Sequence, residues 1–381
     1  MSTLGMPSLL RSRRVRWAAP VLVVGLIALI AAVPAMSAGA DTPALPSITA
    51  QGLLDKVQAA NVDGLSGTVQ FTANLGLPDL STLSNAVGGG GGGFSPMSLL
   101  AGAHSAQVWA SKDGFKATYS DSPTSEDDLI ANHTDLWTWQ SQGTQVTHVV
   151  LPADQASAQT PSSPETNSPL KTPDQVAQSV LALVGPSTDV SVTTPAYVAD
   201  HPVYELVLAP KAGKPSADST VDHITVAVDS ATGLPVRVQI FAKSQTGAAI
   251  DAFDFGFTSL TMGAPSPSTF TFTPPPGANV KNQVLTPHTD QAPAAGTAEP
   301  ATTSNSNQPT VVGQDWATVA VFHNVQLPPQ IDSLLQTGST PAAGGRLFST
   351  ALVNVLVLDN GNVAIGALNP GALEAAAATA G

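Results

Sequence analysis

The chain has 381 residues and a formal net charge of −13, with 14 Lys and Arg against 27 Asp and Glu. An acidic body of this kind argues against nucleic-acid binding and against broad adhesion to anionic lipid headgroups. The absence of Cys excludes disulfides, thiolate metal sites, thiol catalysis and a lipid-modified N-terminal Cys. With 32 Gly, 32 Pro and only 11% charged residues, much of the chain is expected in loops and linkers.

Arg11, Arg13, Arg14 and Arg16 precede an uncharged stretch from Trp17 to Met36 that is long enough to cross a bilayer. The positive-inside rule keeps the arginines cytoplasmic and places the remainder of the chain outside. Ala38-Gly39-Ala40 offers small residues for cleavage before Asp41. Residues 1–40 are therefore read either as an uncleaved membrane anchor (residues 17–36) or as a signal peptide cleaved after Ala40. The first amphipathic helix follows Thr49, a suitable N-cap, with Leu53, Leu54 and Val57 on one face. A strand over residues 65–77 places Val69, Phe71, Ala73 and Leu75 on one side, and Gly88 to Gly93 lie in the loop after it.

A meander of short strands is expected at 103–111, 115–120, 127–132, 135–140 and 144–150, with turns at Asp113-Gly114 and Gln142-Gly143. Residues 152–170 read as a loop rich in Pro, Ser, Gln and Ala. Thr172, Pro173 and Gln175 have the N-cap, N1 and N3 chemistry of a helix start, and that helix carries Val176, Val180, Leu181 and Val184 to Gly185-Pro186. Five more strands are expected at 188–198, 202–210, 221–229, 235–243 and 250–260, the Asp229 to Gly233 turn joining the third and fourth. Residues 281–310 have almost no hydrophobes and read as a disordered linker. A small C-terminal unit, 311–381, is expected to hold a strand at 316–325, a helix at 329–337, one run at 347–358 and one at 362–368 on either side of a type I′ turn at Asn360-Gly361, and an Ala-rich terminal helix.

The fold class expected is thus α+β: one large curved antiparallel sheet of about eleven strands over 41–280, lidded by helices, with a small C-terminal α/β unit. Candidate chemistry is sparse. The seven histidines form no i, i+4 helical pair and no His-Glu-x-x-His motif; no Gly-x-Ser-x-Gly elbow occurs, and the glycine run lacks the Lys-Ser/Thr of a phosphate loop. An enzyme, a metal centre and a cofactor are accordingly not expected. Apolar stripes stand out instead. Phe253, Phe255 and Phe257 share one strand face; Val236, Val238 and Ile240 share another; Trp137 and Trp139 a third, with Phe71 on an early strand. These nine residues are read either as the wall of a lipid cavity or as the core that seats a helical lid. A one-residue slip inverts every face, so the inward parity stays open at this point.

The order of elements, the Val228 to Arg237 hairpin (Val-Asp-Ser-Ala-Thr-Gly-Leu-Pro-Val-Arg) and the closing Phe270, Phe272, Pro274, Pro275 and Gly277 resemble the LolA/LolB-like lipoprotein-carrier superfamily. They also resemble the N-terminal domain of the sigma-E regulator RseB. The resemblance covers residues 49–281 and implies an incomplete β-barrel whose concave face holds lipid or lipoprotein acyl chains, or apolar client segments. It further implies, as an alternative, a sensor that contacts a membrane regulator protein through the C-terminal unit. The chain departs from the family in its glycine-rich loop and in lacking a clear counterpart of the carrier's lid-closing strand arginine, Lys116 being the nearest basic residue.

Overall fold

The computed structural model describes residues 42–76, 103–122, 125–141, 143–150, 185–213, 215–244, 247–284, 309–327, 332, 335–336, 338–342 and 344–380. The apolar N-terminal stretch, the glycine run, the 152–170 segment, the helix expected after Thr172 and most of the linker lie outside the described residues. Helix α1 (Ala50–Gln58) begins as its sequence dictates: Thr49 is extended and its Oγ1 accepts the Gly52 N–H at 3.1 Å. Leu53 and Val57, one turn apart, are its buried residues.

The main sheet is built from two meanders. The first runs β1 (Gly64–Ala73), β2 (Ala103–Ser111), β3 (Gly114–Ser122), β4 (Ser125–Asn132), β5 (Asp135–Gln140) and β6 (Gln145–Val150). The second runs β7 (Thr188–Val192), β8 (Ala196–Val198), β9 (His201–Pro210), β10 (Val221–Asp229), β11 (Pro235–Ala242) and β12 (Ile250–Met262). Antiparallel pairing of β1 with β12 joins them, and β13 (Asn279–Val284) adds to β6 in parallel. Among the described residues this makes a 13-stranded sheet that ends on β13 at one edge and β7 at the other, so the barrel is open. Bulges at Thr68/Val69, Ala227/Val228 and Ile240/Phe241 break the ladders and increase the local twist.

Thirteen strands replace the eleven expected for two reasons. The 188–198 run divides into β7 and β8, both paired to β9, and β13 forms from residues at the start of the expected linker. In the C-terminal unit, β14 (Thr310–Val312), β15 (Val319–Phe322), β16 (Thr340–Ala342), β17 (Gly345–Ser349), β18 (Asn354–Leu358) and β19 (Val363–Gly366) form one antiparallel sheet. Helix α2 (Pro370–Ala380) packs on it through Leu373 and Ala377. The expected strand at 316–325 is replaced by the 3-10 turn Asp315–Ala317 followed by β15. Of the helix expected at 329–337, residues 332, 335 and 336 are described and helical. The Asn360-Gly361 hairpin forms, but only Gly361 has positive φ, at 83°. With Gly361 N–H on Leu358 O at 3.0 Å, it is a type I turn closed by a left-handed glycine, not the expected type I′.

Candidate functional site

Residues directly paired across an antiparallel ladder share a face, so the register assigns every stripe. Val69 pairs with Phe257, Phe71 with Phe255 and Ala73 with Phe253. Val238 pairs with Phe255, Ile240 with Phe253, and Val226 and Ile224 of β10 continue the rows. Leu206 and Leu208 of β9 close them. Phe71, Val236, Val238, Ile240, Phe253, Phe255 and Phe257 therefore form one wall, and all seven are buried in a single cluster. Phe71 stands edge-on to Phe253 and Phe255, with centroids 5.2 and 5.4 Å away.

Two closures cover this wall. At the hairpin end lies α1, whose Leu53 and Val57 enter the cluster. The Asp229 to Gly233 turn latches that helix: a Cβ on Gly233 would sit 2.5 Å from Lys56 O, and Lys56 Nζ donates to Ala231 O at 3.4 Å. The turn itself is held by Asp229 Oδ1, which accepts from the Thr232 N–H and hydroxyl at 2.7 and 2.6 Å. The chain before α1 is pinned by Tyr204, whose hydroxyl donates to Pro46 O at 2.9 Å. At the other end Trp316 and Leu352 of the C-terminal unit join the same cluster.

Trp137 and Trp139 are not part of the wall. Trp137 pairs with Ile130, Ile130 with Lys116, Lys116 with Trp109 and Trp109 with Ser66, a row that runs along the opposite face from Phe71. There Trp137 stacks on His148 at 3.7 Å and meets Phe272 at 5.5 Å, while Trp139 lies 6.3 Å from Phe272. His148 reaches Asp135 Oδ1 at 2.6 Å and Asn282 Oδ1 at 3.0 Å. The hydroxyl of Thr134, and then His148, hold Asp135 below the usual carboxylate range. The nine expected residues thus divide seven and two between the faces of one sheet.

The polar groups of the second meander lie behind the wall. Arg237 donates from Nε to Asp254 Oδ1 at 2.8 Å and from Nη2 to Asp254 Oδ2. Its stem crosses Gly256, where a Cβ would come within 2.6 Å of Arg237 Cγ. Gln239 donates to Asp251 Oδ2 at 2.9 Å, yet burial, followed by repulsion from Asp254, pushes Asp251 up to about 6. Arg237, the basic residue of the hairpin motif, is therefore a back-face ion pair and does not reach the apolar wall. Among the described residues no group of three His, Cys, Asp or Glu is placed to hold a metal ion, and no helix is long and apolar enough to cross a membrane. Leu206 and Leu208 extend the wall and were visible in the alternation of Tyr204, Leu206 and Leu208. Trp316 and Leu352 carried no such signal, because their place depends on the docking of a part of the chain far from the wall strands in sequence.

No family model matches the chain, and no curated protein matches it. Among solved structures it is similar to the MucA/MucB complex of Pseudomonas aeruginosa, at 13% identity and a TM-score of 0.40, covering 86% of this chain and 96% of that one. An uncharacterized conserved protein from Thermus thermophilus shares 11% identity at a TM-score of 0.31, covering 61% and 99%. A LolA superfamily protein from Nitrosomonas europaea shares 12% identity at a TM-score of 0.23, covering 59% and 99%.

Proposed function

We propose that the chain is an exported, non-enzymatic binding protein that holds acyl chains or apolar client segments on the wall formed by Phe71, Val236, Val238, Ile240, Phe253, Phe255 and Phe257. The observation that carries this reading is the mismatch between wall and lid. Burying each large apolar side chain contributes roughly 1.5–3 kcal/mol, so a wet wall of seven would cost at least about 10 kcal/mol. That rivals the whole stability of a domain, about 5–15 kcal/mol, so the wall is always covered by something. Its helical cover is nine residues long and fully buries two side chains, with Ala50 and Leu54 only partly buried against the cluster; a helix that short is marginal by itself. A ligand that buries more apolar surface than Leu53 and Val57 replaces the helix, and the helix reseats when the ligand leaves. Residues 17–36 would tether the protein to the cytoplasmic membrane, or release it if cleaved after Ala40.

A second reading is favoured by Trp316. A unit that shares the core of the wall is positioned to report its occupancy to a membrane regulator protein, which would make the chain an envelope sensor. Both readings are tested with the purified full chain, by native mass spectrometry for co-purified lipid and by titration with a fluorescent fatty acid. Phe255→Ala is expected to weaken fatty-acid binding about tenfold, the ~1.4 kcal/mol expected from a lost ring contact. Trp137→Ala, on the opposite face, is expected to leave it unchanged. No lipid and no fatty-acid binding, or equal losses in both variants, would remove the wall as the binding site.

A further inference from the structure

The end of the wall away from α1 is closed by the C-terminal unit in an unusual way. The row Ala73, Phe253, Ile240, Ile224, Leu208 and Val190 runs across six strands, each residue paired with the next. At five inter-strand spacings it is roughly 24 Å long. Trp316 and Leu352 lie in the same buried cluster as this row. The indole Nε1–H donates to Thr188 Oγ1 at 2.9 Å, two residues before Val190 at the β7 edge. Beside it Ser187 Oγ donates to Asp315 Oδ2 at 2.6 Å.

The turn that presents Trp316 is tight. Asp315 holds φ +50°, a conformation that non-glycine residues seldom adopt. Gly313 has φ +80°, and a Cβ there would meet Ala317 O at 2.1 Å. Backbone bonds complete the closure: Ala351 N–H to Leu75 O at 2.8 Å, Thr220 N–H to Ala367 O at 2.9 Å, and Asn369 N–H to Asp218 O at 2.8 Å. The hydroxyl of Thr220 donates to Leu352 O at 2.5 Å. The cover at this end therefore belongs to a separate sheet, connected through the chain beyond β13, and it ends in one large aromatic side chain held in a constrained turn.

We infer that Trp316 and Leu352 form an internal plug on the ligand wall, so that an acyl chain along the Phe253 row and docking of the C-terminal unit exclude one another. The inference rests on the acyl-binding reading above and adds its regulation: occupancy of the wall frees the C-terminal unit. Two occupants that compete for one surface lower each other's apparent affinity by the fraction of time the other is seated.

The test uses the full chain, palmitate as the probe, and hydrogen exchange read at individual amides. With saturating palmitate, the Thr220, Ala351 and Asn369 amides are expected to exchange at least about tenfold faster, while the β11–β12 ladder keeps its protection. Trp316→Ala is expected to bind palmitate at least about threefold tighter because a competitor has been removed. Trp316→Phe, which keeps a ring but loses the bond to Thr188, should lie between, and it serves if the alanine variant does not fold. Palmitate binding with those amides unchanged and Trp316→Ala no tighter would overturn the plug and leave the binding reading standing. No palmitate bound by wild type, Trp316→Ala or Trp316→Phe would overturn both.

Discussion

Gly233 answers two demands at once. Its φ of +78° lies in the left-handed region, and the position its Cβ would take is filled by the carbonyl of Lys56. Gly277 has φ +85° but nothing within 4 Å of a Cβ. Gly277→Ala should therefore cost about 1 kcal/mol, the conformational penalty alone. Gly233→Ala should cost about 2–3 kcal/mol, because the latch under α1 must also move. Urea midpoints of the two variants compare the terms directly, and equal midpoints would show that the helix does not press on the turn. The turn was legible in the sequence as Asp-Ser-Ala-Thr-Gly; its partner was not, since a hairpin motif says nothing about which helix lands on it. Asp251 makes the second residue-scale prediction. Its folded pKa of about 6 lies above the ordinary carboxylate value near 3.9. Below pH 4 it is protonated in both states. Between about pH 4 and 6 the unfolded chain loses the proton and the folded chain keeps it, so this group's contribution falls as pH rises and levels off above 6. Two pH units correspond to about 3 kcal/mol, which partial exposure reduces to about 1 kcal/mol. Asp251→Asn should thus stabilise the protein by about 1 kcal/mol at pH 7 and by nothing at pH 4. Chemical denaturation at both pH values checks the sign.

At the scale of elements, the segment after β12 behaves as a strap. The 3-10 turn Pro267–Phe270 buries Phe270 against Gly114, where a Cβ would come within 2.8 Å of the ring. Asn132 Nδ2 donates to Phe270 O at 3.3 Å, and the Asn279 N–H reaches Thr144 O at 2.6 Å before β13 pairs with β6. The strap crosses the first meander on the face away from the wall, and its Phe272 covers Trp137 and Trp139. Phe272→Ala should cost about 1–2 kcal/mol, since the ring is half-buried. It should also shift tryptophan emission to the red as both indoles gain water, while fatty-acid binding on the other face stays as it was. Unshifted emission would mean that the strap does not shield the indoles. The strands of the two meanders were legible from their alternation, with errors mainly at their ends; the short strands of the C-terminal unit were not. The face of Trp137 and Trp139 was not, because the parity of β5 follows from four successive registers back to β1. A slip of one residue at any of them would move both indoles to the wall. The parallel strand β13 was hidden for a different reason. Asn279-Val280-Lys281-Asn282-Gln283-Val284 is too polar to read as a strand, and its place is set by an edge that offered unpaired backbone groups.

For the whole molecule, the decisive feature is that one core passes between the two sheets. The sequence suggests a half-barrel, a linker and a small C-terminal unit, since composition drops at 281–310 and recovers after it. Composition cannot show that Trp316 and Leu352 then return to the half-barrel and complete its cluster. Those two side chains together bury about 3–6 kcal/mol of apolar contact, and the three backbone bonds across the junction add about 1 kcal/mol each. Against a typical stability of about 5–15 kcal/mol this is a large share of what holds the half-barrel folded while its wall carries no ligand. The full chain is accordingly expected to unfold in one transition, coincident by tryptophan emission and by far-ultraviolet circular dichroism. A chain ending at residue 310 should unfold at a clearly lower denaturant concentration and bind a hydrophobic dye, because the cluster shared with Trp316 and Leu352 would be opened. A fatty acid added to that shortened chain should restore part of the lost midpoint, since any ligand that binds only the folded state stabilises it by mass action. Two well-separated transitions in the full chain, or an unchanged midpoint in the shortened one, would show that the units are energetically independent and that the shared cluster does not couple them.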